Sequence, residues 1–385
     1  MKLPSTADVV IIGGGVMGAS TAYHLAVKGC RSVVLLERNG SYGMESTGKC
    51  AGGIRHQFDT EINIRLSRLS LQMLDRFEDE IGQPIGLRKC GYLFILTREE
   101  DVVEFQRQVM LQNSLGVGTQ WTDGDEIRRR LPWMNFRDAL GGTWNPNDGL
   151  ADPNSVVQGY LSRAQAAGVR CFFDCEVIGI RSQGGRVCSV ETKRGMIQTP
   201  NAVNAAGPWA GMVGRMLGIE IPITPVRRQI VVTTPVPELP AGLPFVIEFA
   251  TGLYFHREGA ALLTGMANPG EPAGFSQVVD PDWEAVHLEA AMNRLPLLKK
   301  AGVSSRWAGL YENTPDAFPV LGAVDERPGL YCIAGFSGHG FMHGPVCGLL
   351  VAEEILDRKA TTVDISRLRL SRFGRGSAAR EYNVV

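Results

Sequence analysis

Gly13, Gly15 and Gly18 follow directly on an apolar, β-branched run at 8–12, and Glu37 closes a second apolar run at 32–36. Glycines and an acid in this order suit the pyrophosphate and ribose of an adenine dinucleotide. Gly13 permits the tight turn, Gly15 lets a phosphate approach the backbone, and Gly18 lets the next helix lie close on its sheet. That helix opens at Val16 and Met17, and its first turn offers unpaired N–H groups and a partial positive charge. The Glu37 carboxylate accepts hydrogen bonds from ribose hydroxyls and repels a 2′-phosphate. A glycine-rich turn that binds nothing is the bland alternative. It does not account for strand, glycines, helix, strand and acid all falling at the spacing of a βαβ unit.

These residues need a frame to hold them. Residues 16–28 read as a helix, stopped by Gly29, between two fully buried strands. Two later segments repeat the plan of strand, small-residue turn and helix. The first has strands at 186–192 and 198–204 before Ala205, Ala206 and Gly207; the second has a strand at 330–334, the turn 335–340 and a helix at about 346–356. A nicotinamide dinucleotide does not need a second cradle so far along the chain, whereas the longer body of a flavin dinucleotide does. The expected fold combines α/β and α+β parts. A discontinuous Rossmann-like FAD-binding domain takes 1–85, 146–219 and 309–373. An inserted antiparallel-sheet substrate domain takes 86–145 and 220–308, and 374–385 form a C-terminal tail. Periodicity predicts helices at 62–81, 99–115, 123–130 and 283–295 and a strand at 92–97. Four strands at 228–234, 245–249, 253–256 and 261–264 read as a meander.

Composition narrows the partners. A formal net charge of -1 gives no support to nucleic acid or an anionic membrane as a ligand. Eight cysteines show no metal-ligand spacing, and Cys171 and Cys175 share one strand face, so reduced thiols and a cytoplasmic setting are expected. No apolar run has the length of a membrane span, and the N-terminal one holds Asp8 and the glycine fingerprint, unlike a signal peptide.

The motifs DVVIIGGGVMGASTAYHLA, STGKCAGGIRHQF, NAAGPWA, GLYENTPDAFPVLG and GFSGHGFMHGP, in this order, resemble the D-amino-acid-oxidase superfamily of FAD-dependent oxidoreductases. More narrowly the chain is similar to the β subunits of heterotetrameric sarcosine oxidase and of dye-linked L-proline dehydrogenase, over roughly 7–373. The resemblance implies that Gly13, Gly15, Gly18, Glu37 and Arg38 meet the adenosine and pyrophosphate. It places Ser46, Thr47 and Lys49 along the ribityl chain, with Val177, Ala206 and Gly207 near the adenine side. Gly338, His339, Gly340, Phe341 and Met342 would form the turn at the flavin pyrimidine edge, where the following helix directs its positive end. Arg55 would hold the substrate carboxylate, a task suited to a fork of fixed donors, against the alternative of a structural ion pair. Tyr254 and Tyr311 would line the substrate pocket, against plain core aromatics. His56 is either against the flavin or structural, and His24 is structural.

The departures matter as well. Monomeric sarcosine oxidases tether the flavin through a cysteine where this chain has Gly309, and the heterotetrameric β subunit binds FMN through a histidine aligned with Ala151. FAD is therefore expected to be non-covalent, and any second flavin (FMN) at a subunit interface likewise. Met342 and Leu263 stand where the monomeric enzymes carry lysines, which tilts the expectation from oxidase toward dehydrogenase. The resemblance implies oxidation of a secondary amino acid such as sarcosine, proline or an N-alkyl relative, by hydride transfer to flavin N5 and imine hydrolysis. Partner subunits would complete the assembly. The alternatives are an oxidase of glycine or D-amino acids, and a non-catalytic FAD-bound assembly factor.

Overall fold

The computed structural model describes residues 2–374 and 380–384; within the expected tail, 375–379 and 385 lie outside the described residues. The two apolar runs become Val9–Ile12 and Val33–Leu36, adjacent parallel strands with every residue buried. They sit in a six-stranded sheet in the order Val320–Ala323, Leu330–Ala334, Ala202–Asn204, Val9–Ile12, Val33–Leu36, Arg170–Phe172. Neighbours are parallel except the Val320–Ala323 edge, which runs antiparallel to Leu330–Ala334. Strands buried on both faces need no alternation, which is why their sequences are continuous apolar runs. Val9 and Ile11 pack with the helices Val16–Val27, Pro153–Ala166 and Gly340–Leu356. Val10 and Ile12 pack on the other face with Val187, Val190 and Ile197 of a separate three-stranded antiparallel sheet.

That small sheet corrects one expectation. Arg186–Thr192 pairs with Val177–Gln183 and Gly195–Gln198, so the strand feeding the Ala205–Gly207 turn is Ala202–Asn204 alone. The helix expected at 346–356 starts six residues earlier, as Gly340–Leu356, and runs through Pro345. Proline forfeits one helical hydrogen bond there, but close packing holds the segment. A Cβ on Gly344 would lie 2.7 Å from Val16, and one on Gly348 would lie 2.2 Å from Ser20. The helix expected over 62–81 is two, Glu61–Asp75 and Phe77–Ile81.

An eight-stranded sheet follows the order Val303–Asn313, Thr224–Thr233, Ala261–Gly265, Leu253–Glu258, Phe245–Glu248, Tyr92–Leu96, Gly141–Asn145, Gln120–Asp123. The stretches 86–145 and 220–308 both contribute to it, and the parallel pair Phe245–Glu248 with Tyr92–Leu96 joins them. Val303–Asn313 runs past position 308 without a break and carries Tyr311 to the junction between the sheets. Among the described residues no helix is long and apolar enough to cross a membrane.

Candidate functional site

The glycine turn forms one wall of a cleft with about 1350 Å³ of empty space. The three glycines divide the work as their spacing predicts. A Cβ on Gly13 would lie 2.4 Å from the Ala205 carbonyl oxygen, at φ +114, and one on Gly18 would lie 2.0 Å from that of Gly13. A Cβ on Gly15 would meet only Thr47 Oγ1, at 3.1 Å, and Gly15 lines the cleft. Gly13 and Gly18 therefore serve the turn, and Gly15 leaves room for a ligand. Glu37 is held from both sides: Gly14 N–H donates to Oε2 at 2.7 Å and Asn39 N–H donates to Oε1 at 2.8 Å. The acid thus clamps the glycine turn to the end of its strand while keeping lone pairs toward the cleft. Thr47 Oγ1 accepts from Val16 N–H at 3.2 Å.

Val16, Met17, Arg38, Ser46, Val177, Ala206, Gly207, Gly338, Gly340 and Phe341 all line this cleft. The Arg38 guanidinium stacks 3.6 Å over the Trp209 ring. Gly18 does not line it, being covered by Gly13, and Lys49, His339 and Met342 face the neighbouring chamber instead. Glu312, absent from the sequence expectations, also lines the cleft. Its Oε2 is buried without a partner among the described residues, and burial pushes the carboxyl up to about 7. An orphaned acid and a glycine cradle on one cleft fit a ligand rich in hydroxyls and phosphate.

The adjoining chamber gathers Arg55, Tyr254 and Tyr311 with Tyr92, Arg228, Ile230, Ile247, Phe341, Met342 and Val384. Tyr311 fits because position 338 is glycine: a Cβ there would lie 2.4 Å from its ring. Gly265 clears the Tyr254 hydroxyl in the same way, at 2.2 Å. Burial raises both tyrosines, so their hydroxyls stay neutral. Arg55 is 4% exposed. It stacks 4.0 Å over Phe58 and donates to the carbonyls of Gln57 and Asn383. It forms no ion pair among the described residues, and burial lowers its pKa. The Glu381 and Asp148 carboxylates lie within its field without pairing with it, and a ligand carboxylate would offset the remaining cost of its burial.

Leu263 differs from expectation, and His56 takes its structural alternative. His56 turns to Asp148, at 2.6 Å, and lines neither space. Leu263 is buried on Ala261–Gly265 and does not line the chamber, whereas Arg228 and Lys49 do. The chamber is thus not stripped of positive charge, although Met342 also lines it. His339 belongs to a polar chain behind the turn: its Nε2 faces the Ala317 carbonyl at 3.0 Å and its Nδ1 lies 3.1 Å from His343 Nδ1. Burial pushes His339 down to about 4, so this pair is neutral. His24 is likewise buried and lowered to about 4, a structural role.

Residues 380–384 lie beside the chamber, which Val384 lines. The Glu381 carboxylate accepts from Asp59 N–H, Thr60 Oγ1 and Asn63 Nδ2 at 3.0, 2.6 and 2.7 Å. The Tyr382 hydroxyl donates to Asp101 at 2.6 Å, and Asn383 Nδ2 donates to Gln108 at 2.7 Å. Burial and the neighbouring Glu381 push Asp59 up to about 8.

The family model described as DAO, FAD dependent oxidoreductase, matches residues 8–354. This chain is a DAO-family FAD-dependent oxidoreductase. It is 34% identical to mitochondrial sarcosine dehydrogenase from Mus musculus over 92% of this chain and 40% of that protein. It is 32% identical to mitochondrial dimethylglycine dehydrogenase from Rattus norvegicus over 96% of this chain and 45% of that protein. The chain therefore spans less than half the length of these relatives. The structure of L-proline dehydrogenase from P. horikoshii superposes with a TM-score of 0.90 at 31% identity, covering 97% of this chain and 100% of that one. The family is FAD dependent, and Gly15, Glu37, Thr47 and Glu312 line the cleft that such a cofactor would occupy. Glu37→Ala should weaken FAD binding by about 1–3 kcal/mol through a lost charged acceptor. Equilibrium dialysis of the DAO-family protein against free FAD measures this, and an unchanged affinity would leave Glu37 a clamp for the turn only.

Proposed function

We propose that this protein oxidises a secondary amino acid, such as sarcosine, proline or an N-alkyl relative, at the C–H beside nitrogen, and that it works as a dehydrogenase. The observation that carries the reading is Arg55, a buried guanidinium without an ion pair among the described residues, lining a chamber that adjoins the cleft. Bound FAD supplies a two-electron acceptor. The chain's own residues do the rest. Arg55 anchors the carboxylate, and Tyr254 and Tyr311 present neutral hydroxyls along the amine side. Ile230, Ile247, Phe341 and Met342 keep the reacting C–H among apolar groups. A desolvated chamber bearing fixed positive charge favours the neutral amine over the ammonium form. No side-chain base is then needed, and water hydrolyses the released imine. The parallel-sheet part would hold the cofactor and the eight-stranded sheet would roof the substrate. Anaerobic addition of sarcosine, proline, hydroxyproline, opines and D-amino acids should bleach the flavin spectrum for a secondary amino acid; bleaching by none of them points to an FAD-bound scaffold.

The dehydrogenase part rests on the sarcosine, dimethylglycine and proline dehydrogenases among the relatives, because Arg228 and Lys49 keep positive charge in the chamber. Stopped-flow mixing of the reduced protein with air-saturated buffer should give reoxidation far slower than turnover with an artificial dye. Reoxidation as fast as turnover would make it an oxidase. Partner subunits, and FMN at an interface with them, extend the reading; the resemblance of the motifs to β subunits supports them. Eight cysteines without a disulfide support a cytoplasmic setting.

FAD should be non-covalent. Gly309 and Ala151 offer no attachment atom. The thiol bordering both spaces, Cys50, is pushed up to about 11 by burial and is held protonated. Acid denaturation should release yellow cofactor into the supernatant, and flavin retained in the precipitate would overturn this.

A further inference from the structure

Arg227 and Arg228 are consecutive on the strand Thr224–Thr233, so they face opposite sides of its sheet. Arg227 is fully engaged, with Glu271 at 2.9 and 3.2 Å and Asp280 at 3.3 Å. Arg228 is not. Its Nη1 donates to the adjacent Arg227 carbonyl at 3.1 Å, and its guanidinium lies 4.9 Å over the Tyr311 ring. Its Nε is buried with no partner, and it makes no ion pair among the described residues. A buried donor without an acceptor is destabilising unless something arrives to meet it.

Arg228 lines the same chamber as Arg55, and it also lines the outer vestibule beside Trp283 and Tyr382. Tyr311 lies within the field of both cations. Two arginines, neither ion-paired among the described residues, therefore border one chamber, Arg55 stacked on Phe58 and Arg228 at the vestibule side. A carboxylate on each of two arms would give each guanidinium its own bidentate partner.

We propose that Arg228 is a second carboxylate receptor, and that the preferred substrates are secondary amines carrying a carboxylate on each arm of the nitrogen. This rests on the reading of the chamber as the site of secondary amino acid oxidation. Arg55 holds the carboxylate of one arm, the nitrogen sits near Tyr311, and Arg228 takes the carboxylate of the other arm. Bidentate pairing with guanidinium fixes orientation as well as affinity. Arg228 is thus a specificity-determining residue.

The test is calorimetric titration of the FAD-loaded protein with thiodiacetate and (methylthio)acetate. In these thioethers sulfur stands for the amine nitrogen, and neither can be dehydrogenated to an imine. Thiodiacetate should bind roughly 10- to 150-fold more tightly, the range of one charge-assisted hydrogen-bonded contact. Arg228→Gln should remove most of that preference and Arg228→Lys should restore part of it. Equal affinity for the two thioethers, or a preference untouched by Arg228→Gln, overturns the proposal and leaves the secondary amino acid reading standing. Binding of neither thioether, with no amino acid bleaching the flavin, overturns both. If Arg228→Gln does not fold, the wild-type ratio and its narrowing in Arg228→Lys decide the matter.

Discussion

Arg55→Lys should lower kcat/KM about 10- to 150-fold, mostly through KM, while flavin content stays near wild type. The range corresponds to roughly 1.5–3 kcal/mol for one lost charge-assisted hydrogen bond. The geometry shows why lysine is not a substitute. Arg55 already gives one N–H to the Gln57 carbonyl and another to that of Asn383, and its remaining donors are left for an anion. An ammonium group offers three donors from a single point and cannot satisfy two carbonyls and a carboxylate in fixed directions. Steady-state kinetics on the substrate found by anaerobic bleaching measures the loss. Thermal unfolding provides the counter-reading. A variant with reduced thermal stability and unchanged kcat/KM would make Arg55 an anchor for residues 380–384 and no part of the substrate site.

Much of this site was legible because it is local in sequence. The glycines, the strand before them and Glu37 all lie within one βαβ unit, where period and residue type report directly on backbone geometry. The chamber was harder to read because it is assembled from distant pieces. Arg228 did carry a signal, since it shares a strand face with Ile230 and Val232, and a charge on an apolar face marks a buried role. Residues 380–384 carried none. Glu381 and Asn383 are ordinary polar residues, and their partners Asn63 and Gln108 lie at the far end of the chain. The helix boundary at Gly340 was missed for a related reason. Proline argues locally for a break, while packing against Val16 and Ser20 decides the outcome. Leu263 failed on register: its strand and burial were readable, but which residue of Ala261–Gly265 reaches the chamber depends on pairing across three strands.

The largest structural effect should come from Gly18→Val, and its contrast with Gly15→Ala separates fold from ligand. At position 18 the new Cβ would sit 2.0 Å from the Gly13 carbonyl oxygen, a backbone atom that cannot swing aside. The helix Val16–Val27 would have to lift from the parallel sheet, where Ala19, Ala22 and Leu25 are fully buried. Overpacking of this kind costs about 3 kcal/mol or more, a large fraction of a stability of about 5–15 kcal/mol. The apoprotein should therefore unfold at a clearly lower temperature. At position 15 the new methyl would meet only Thr47 Oγ1, at 3.1 Å, and otherwise project into the cleft. Gly15→Ala should leave the apoprotein's unfolding temperature nearly unchanged and raise the Kd for FAD roughly 10- to 100-fold, because the methyl stands where a phosphate would meet the backbone. Calorimetric unfolding of both apoproteins, with FAD titration of each, gives the comparison. If Gly15→Ala destabilised the apoprotein as much as Gly18→Val, the division of roles between the two glycines would be wrong. If it bound FAD as tightly as wild type, the pyrophosphate would have to lie elsewhere in the cleft.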